Sequence, residues 1–106
     1  MIHILTNEND FETLIAPKSA LVLVDFYAVW CEPCKWLDQI LTAIEPKIGN
    51  LAGIVKVDIN KFPAFQSSFV LQSVPVLMLF KKGQLVWRIN GFLSEDELIK
   101  KIQSYV

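Results

Sequence analysis

Val24-Asp25-Phe26-Tyr27-Ala28-Val29-Trp30-Cys31-Glu32-Pro33-Cys34-Lys35 is the stretch that decides the fold. It begins inside a nearly continuous apolar run, Leu21 to Tyr27, of the kind that forms a strand buried on both faces. It ends where a helical spacing begins: from near Cys34 the pattern continues through Leu37, Ile40, Leu41 and Ile44, and Pro46 is expected to kink or end it. A buried strand running straight into an amphipathic helix is half of a βαβ unit. The two cysteines sit at the joint.

The chain on either side repeats this alternation. Ile2-His3-Ile4-Leu5 is a short β-like run. Thr6 to Asn9 offer helix caps, with Phe11, Leu14 and Ile15 at helical spacing and Pro17 closing the helix. Ile54 to Ile59 is the next strand, and a short helix follows through Pro63, Phe65 and Phe69. Val76 to Phe80 and Leu85 to Ile89 are strands around the turn Lys81-Lys82-Gly83-Gln84, whose glycine tolerates positive φ. Ser94 and Glu97 make a capping box for a last helix through Leu98, Ile99 and Ile102. The order β-α-β-α-β-α-β-β-α predicts an α/β fold. Its central mixed sheet is parallel where helices cross over, antiparallel at the last hairpin, and flanked by helices on both faces.

Composition sets the outer limits. The chain has 106 residues, 53% of them hydrophobic and 20% charged, which predicts one domain over residues 1–106 with a real core. Ten Lys+Arg against eleven Asp+Glu leave a net charge of −1, so nothing drives binding to nucleic acid or an anionic membrane. The first lysine is Lys18, no basic leader precedes an apolar segment, and no apolar run approaches the ~20 residues of a membrane span. A soluble protein in the cytoplasm is expected. Two cysteines do not make a disulfide scaffold.

Cys31 and Cys34 carry the strongest chemical signal. Zinc wants about four ligands, and two cysteines with the distant His3 fall short unless two chains share a site, so no metal is expected. Redox chemistry fits the spacing better. With two residues between them and the second inside a helix, the sulfurs can close a small ring with little backbone movement. Cys31 then lies at the helix N-terminus, where free N–H groups and the positive dipole end stabilise a thiolate, the species that attacks a disulfide. Pro33 suits the first helical turn, where an N–H is dispensable. Cys31 is therefore expected as the exposed nucleophile and Cys34 as the more buried resolving thiol.

Two further positions have alternative readings. Asp25 interrupts a run expected to be core. A buried carboxyl there has a raised pKa and can take the proton of Cys34, through a water. Alternatively, strand alternation turns it to solvent. Pro75 is either a strand-edge punctuator or a cis proline that turns the backbone of Val74 toward the cysteines, where an extended substrate segment can pair. Trp30, Val74, Pro75, Gly91 and Phe92 are candidates for an apolar collar around Cys31, with a plain core role as the alternative for Trp30 and Phe92. Trp36, Trp87 and Met78 are expected to be packing residues, His3 an edge-strand residue, and Lys81-Lys82 a solvated turn.

The segment Val24–Lys35 resembles the active-site segment of the thioredoxin family. The likeness continues through Lys56-Val57-Asp58-Ile59, Ser73-Val74-Pro75-Val76, Phe80-Lys81-Lys82-Gly83-Gln84 and Gly91, and so runs the length of the chain in order. It implies the thioredoxin fold, a cis Pro75, and reversible dithiol–disulfide exchange by Cys31 and Cys34. It also implies Asp25 as the buried acid, with Lys56 close by to modulate it. No bound cofactor is implied. Reducing equivalents are expected from NADPH through a flavin-containing thioredoxin reductase, and the other partners are disulfide-containing proteins met by a monomer.

Departures from the family pattern bear on tuning. Glu32 stands where glycine is usual. An anion beside Cys31 disfavours its thiolate, which predicts a more reducing couple and an altered face toward a reductase. Val29 replaces a frequent acid and Val76 a threonine. Gln39 replaces a helix-kinking proline. The reading is a protein disulfide reductase. The rivals are the same exchange run as oxidase or isomerase, and a non-catalytic interaction module of the same fold.

Overall fold

The computed structural model describes residues 2–17 and 20–106. Five strands form one sheet in the order β1-β3-β2-β4-β5: β1 (Ile2–Ile4), β2 (Leu21–Tyr27), β3 (Ala52–Asp58), β4 (Val76–Lys81) and β5 (Gln84–Asn90). β1 and β2 both run parallel to β3, while β4 is antiparallel to β2 and to β5. The expected mixed sheet is thus the observed one. Its last turn places Lys82 and Gly83 at positive φ, 53° and 81°, between the paired Lys81 and Gln84. That is the twist a two-residue hairpin loop requires.

β2 lies between β3 and β4, so both its edges are hydrogen-bonded, and its alternate residues form two rows, one on each face of the sheet. Val22, Val24 and Phe26 face a cluster that includes Phe11 of α1 (Phe11–Leu14) and Phe65 of α3 (Ala64–Ser68). Leu21 and Leu23 face Leu37, Leu41 and Ile44 of α2 (Glu32–Ile48), with Leu98 and Ile102 of α4 (Glu95–Gln103). Helices therefore cover both faces. The Ser94–Glu97 capping box is present at the start of α4.

Two expectations about the helices need correction. The first helix is shorter than its apolar spacing suggests: a 3-10 turn over Glu8–Asp10, capped by the Asn7 side chain, leads into a single α-helical turn. α2, by contrast, starts at Glu32 and runs through Pro46 to Ile48. Pro46 falls in the last turn, where its missing N–H forfeits one intrahelical bond, and the helix closes through the Gly49 N–H to the Glu45 carbonyl.

Candidate active site

The junction of β2 and α2 sets the position of both cysteines. Cys31 is the N-cap of α2, with extended backbone, and its sulfur accepts a hydrogen bond from the Cys34 N–H at 3.2 Å. Pro33 lies in the first turn and Glu32 opens it, as a helix N-terminus favours. Cys31 and Cys34 are joined in a disulfide, their Cα atoms 5.3 Å apart. The spacing thus brings the sulfurs together across a single turn.

The residues expected around Cys31 divide into groups. The Val74–Pro75 peptide is cis, and the Val74 carbonyl oxygen lies 3.6 Å from the Cys31 sulfur. Gly91 donates its N–H to the Pro75 carbonyl at 2.9 Å from a backbone at φ 132°, a conformation open to glycine. Trp30 is 67% exposed, and its indole N–H donates to Asn60 Oδ1 at 3.0 Å. Asn60 is held in turn by its own N–H to Asp58 Oδ1. Phe92 is half-buried and meets Trp36 edge to face, with ring centroids 6.2 Å apart. Trp36, expected as a packing residue, makes that one ring contact and is 54% exposed, because its helical position puts it outside the face of α2 that carries Leu37 and Leu41.

One expectation about the cysteines is corrected. Both residues are only 4% exposed, so Cys31 is not the more open of the pair. Its position as cap, against Ala28 and the Val74 carbonyl, covers it. The two differ instead in their neighbours: Cys34 lines a cleft of about 330 Å³ together with Tyr27, Lys35, Asp38, Gln39 and Lys56.

Asp25 is completely buried, which excludes the solvent-facing alternative. It continues the Leu21–Leu23 row toward α2, pairs in register with Lys56 on one side and Leu77 on the other, and neither carboxyl oxygen has a hydrogen-bond partner among the described residues. Burial pushes its pKa from 3.8 up to about 7; Lys56 opposes that shift and Asp38 adds to it. Lys56 itself forms an ion pair with Asp38, and its ammonium lies 4.8 Å from the Tyr27 ring centroid. Asp38 and Asn60 went unnoticed in the sequence. Asp38 is four residues after Cys34 and so on the same helix face, which is the one signal that marks it. Glu32 is exposed and paired with Lys35 at 3.1 Å.

This geometry is also where the chain meets known proteins. The family model described as Thioredoxin matches residues 2–104. The chain belongs to the thioredoxin family. It is 40% identical over 105 residues to a thioredoxin of Chlamydia trachomatis, covering 99% of both chains. It is 38% identical over 97 residues to a thioredoxin-like protein of Synechocystis sp., covering 92% of each. Among solved structures it is similar to a mutant thioredoxin from Halobacterium salinarum, with TM-score 0.86 and 29% identity over 98% of this chain and 89% of that one. Thioredoxins are disulfide oxidoreductases that need no bound cofactor. This thioredoxin-family chain is a protein disulfide reductase working by dithiol–disulfide exchange through its Cys-Glu-Pro-Cys motif. Among its described residues no helix is long and apolar enough to cross a membrane.

Proposed function

We propose that Cys31 is the attacking thiolate and Cys34 the resolving thiol, with Asp25 as the proton acceptor for Cys34. The observation that carries this is the cap: the Cys31 sulfur already accepts the Cys34 N–H at the positive end of a 17-residue helix, which favours a thiolate there. The Cys31 thiolate attacks a substrate disulfide, forming a mixed disulfide and releasing one substrate thiolate, which takes up a proton. Cys34 gives its proton to Asp25. Its thiolate then attacks the Cys31 sulfur, breaking the bond to substrate and expelling the second substrate thiolate. Two electrons pass to the substrate, and the Cys31–Cys34 disulfide remains.

Trp30, Val74, Pro75, Gly91 and Phe92 form the substrate-binding collar in this reading, with the Val74 backbone pairing an extended segment beside the Cys31 sulfur. Glu32, Pro33 and Lys56 modulate the pair. The oxidised form is recharged from NADPH by a thioredoxin reductase. Residues 1–106 act as one domain, as a monomer in the cytoplasm, in the wider economy of electron transport and redox balance.

The midpoint potential of the pair tests the direction of exchange. It is read by equilibration in graded thiol–disulfide buffers and counting alkylated cysteines by mass. Thioredoxins are anchored at about −270 mV, and oxidising or isomerising relatives at roughly −180 to −120 mV. A value near or below the first supports a reductant. A value in the second range reverses the direction and moves the protein to an oxidising compartment. Cys31→Ser is expected to abolish reduction of a protein disulfide. Retained function in that variant would favour the interaction module.

A further inference from the structure

The cleft beside Cys34 holds an ion pair that the exchange chemistry above does not use. Asp38 sits one turn after Cys34 on α2, and its carboxylate pairs with the Lys56 ammonium. The Lys56 side chain is largely buried, whereas Asp38 is half-exposed, so the carboxylate reaches in from the rim. The Tyr27 ring holds the same ammonium from another side. Lys56 is also the register neighbour of Asp25 on the adjoining strand. A buried carboxyl next to a lysine would ordinarily take that ammonium as its partner, because an unpaired charge in an apolar site is costly. Here both Asp25 oxygens are left without one.

We propose that Asp38 is a positioning residue for the resolving step: it anchors Lys56 at the mouth of the cleft beside Cys34 and so keeps that ammonium from pairing with Asp25. The proposal rests on the role given to Asp25 above. Without the anchor Lys56 turns inward, Asp25 ionises at lower pH, and it becomes a weaker acceptor for the Cys34 proton. A base poised near the working pH is the more effective one. The groups facing Asp25 all fit this arrangement. β3 contributes Lys56, with Asp58 beyond it engaged by the Asn60 and Lys61 N–H groups. β2 contributes Tyr27, which interacts with Asp25, and β4 the apolar Leu77. α2 contributes Asp38, which acts on Asp25 by its charge, with Lys35 paired to Glu32. Asp38 acts twice in the same sense, by holding Lys56 away and by its own negative charge.

The test is the pH titration of the Asp25 carboxyl carbon by NMR in the oxidised protein, where the cysteines do not titrate. Wild type, Asp38→Asn, Lys56→Met and the double variant are compared, with Asp38→Ser as a second removal of the charge. Asp38→Asn is expected to weaken proton binding at Asp25 by about threefold or more. In the Lys56→Met background the same change is expected to have at most half that effect on the midpoint. An unmoved midpoint in both Asp38 variants, or more than half the effect without Lys56, overturns the proposal. The titration needs no turnover, so it fails or succeeds independently of the exchange reaction. Inability of the wild type to reduce a protein disulfide would instead remove the reading on which the proposal rests.

Discussion

The two faces of the sheet are filled with different materials. On the side of α1 and α3 the filling is aromatic: Phe11, Phe26, Phe65, Phe69 and Phe80 surround one another, with Phe11 and Phe65 centroids 4.8 Å apart. On the side of α2 and α4 it is aliphatic, built from Leu21, Leu23, Leu37, Leu41, Ile44, Leu77 and Leu79. The aliphatic row on β2 breaks at its third member, where Asp25 stands for a hydrocarbon. One face therefore gains from shape and area alone. The other gives up part of that gain to hold a carboxyl group whose pKa burial raises to about 7. The difference shows that burial by itself does not mark an apolar position: Leu23 and Asp25 are equally inaccessible, and only one of them is a hydrocarbon.

Removing a member of the aromatic face should have the largest effect. Phe26→Ala is expected to cost about 3–5 kcal/mol of stability in denaturant unfolding. The Asp25 titration midpoint should stay where it is, since Phe26 points to the other face. A large midpoint shift in that variant would mean that the two faces are electrostatically coupled and would break the contrast.

The next effect has the opposite sign. Asp25 has a folded-state pKa of about 7 against 3.8 when solvated, so the native state holds its proton where the unfolded chain has released it. Stability is unaffected below about pH 4, declines as pH rises from about 4 to about 7, and is flat above; the full loss is on the order of 4 kcal/mol. Asp25→Asn removes that slope. It should match the wild type near pH 4 and exceed it by about 4 kcal/mol at pH 8, while the resolving step slows. Unfolding curves that stay parallel from pH 4 to 8 would show that Asp25 is not desolvated as the fold implies.

The smallest effect lies outside both faces. Glu32 is exposed and its charge is engaged by Lys35, so its repulsion of the Cys31 thiolate is damped. Glu32→Gly is still expected to raise the midpoint potential, by only about 10 mV. An equal or lower potential would leave Glu32 without a role in tuning.

Most of this molecule was legible in its residues. The β2 boundaries, the hairpin at Lys82-Gly83 and the Ser94 cap follow from local patterns that survive tertiary packing, because each satisfies its own backbone. Asp25 was legible as a polar break in an apolar run, whereas the place of Pro75 before a strand left two readings open and only the family resemblance implied its cis peptide. What escaped depended on partners remote in sequence. Asp38 is an ordinary helical acid until Lys56 of β3 is brought against it, and Asn60 is a turn residue until the Trp30 indole reaches it. Trp36 packs on Phe92 as a packing residue should, but its half-exposure was not legible, because the extent of its cover depends on a residue remote in sequence.

Val70 shows how the past of a sequence can be constrained by its present shape. It adopts φ 53°, a left-handed conformation that disfavours a β-branched side chain, where α3 gives way to the segment leading to Val74. The Arg88 guanidinium donates to the carbonyls of both Phe69 and Val70 and holds that turn from β5. The two positions are therefore not free to vary in either order. A lineage that exchanges Val70 for glycine first can afterwards drop Arg88 at little harm, whereas one that drops Arg88 first leaves a strained turn with nothing to hold it. Histories of this chain and its descendants should pass through the first route, and an arginine at 88 should accompany every lineage that keeps a branched residue at 70.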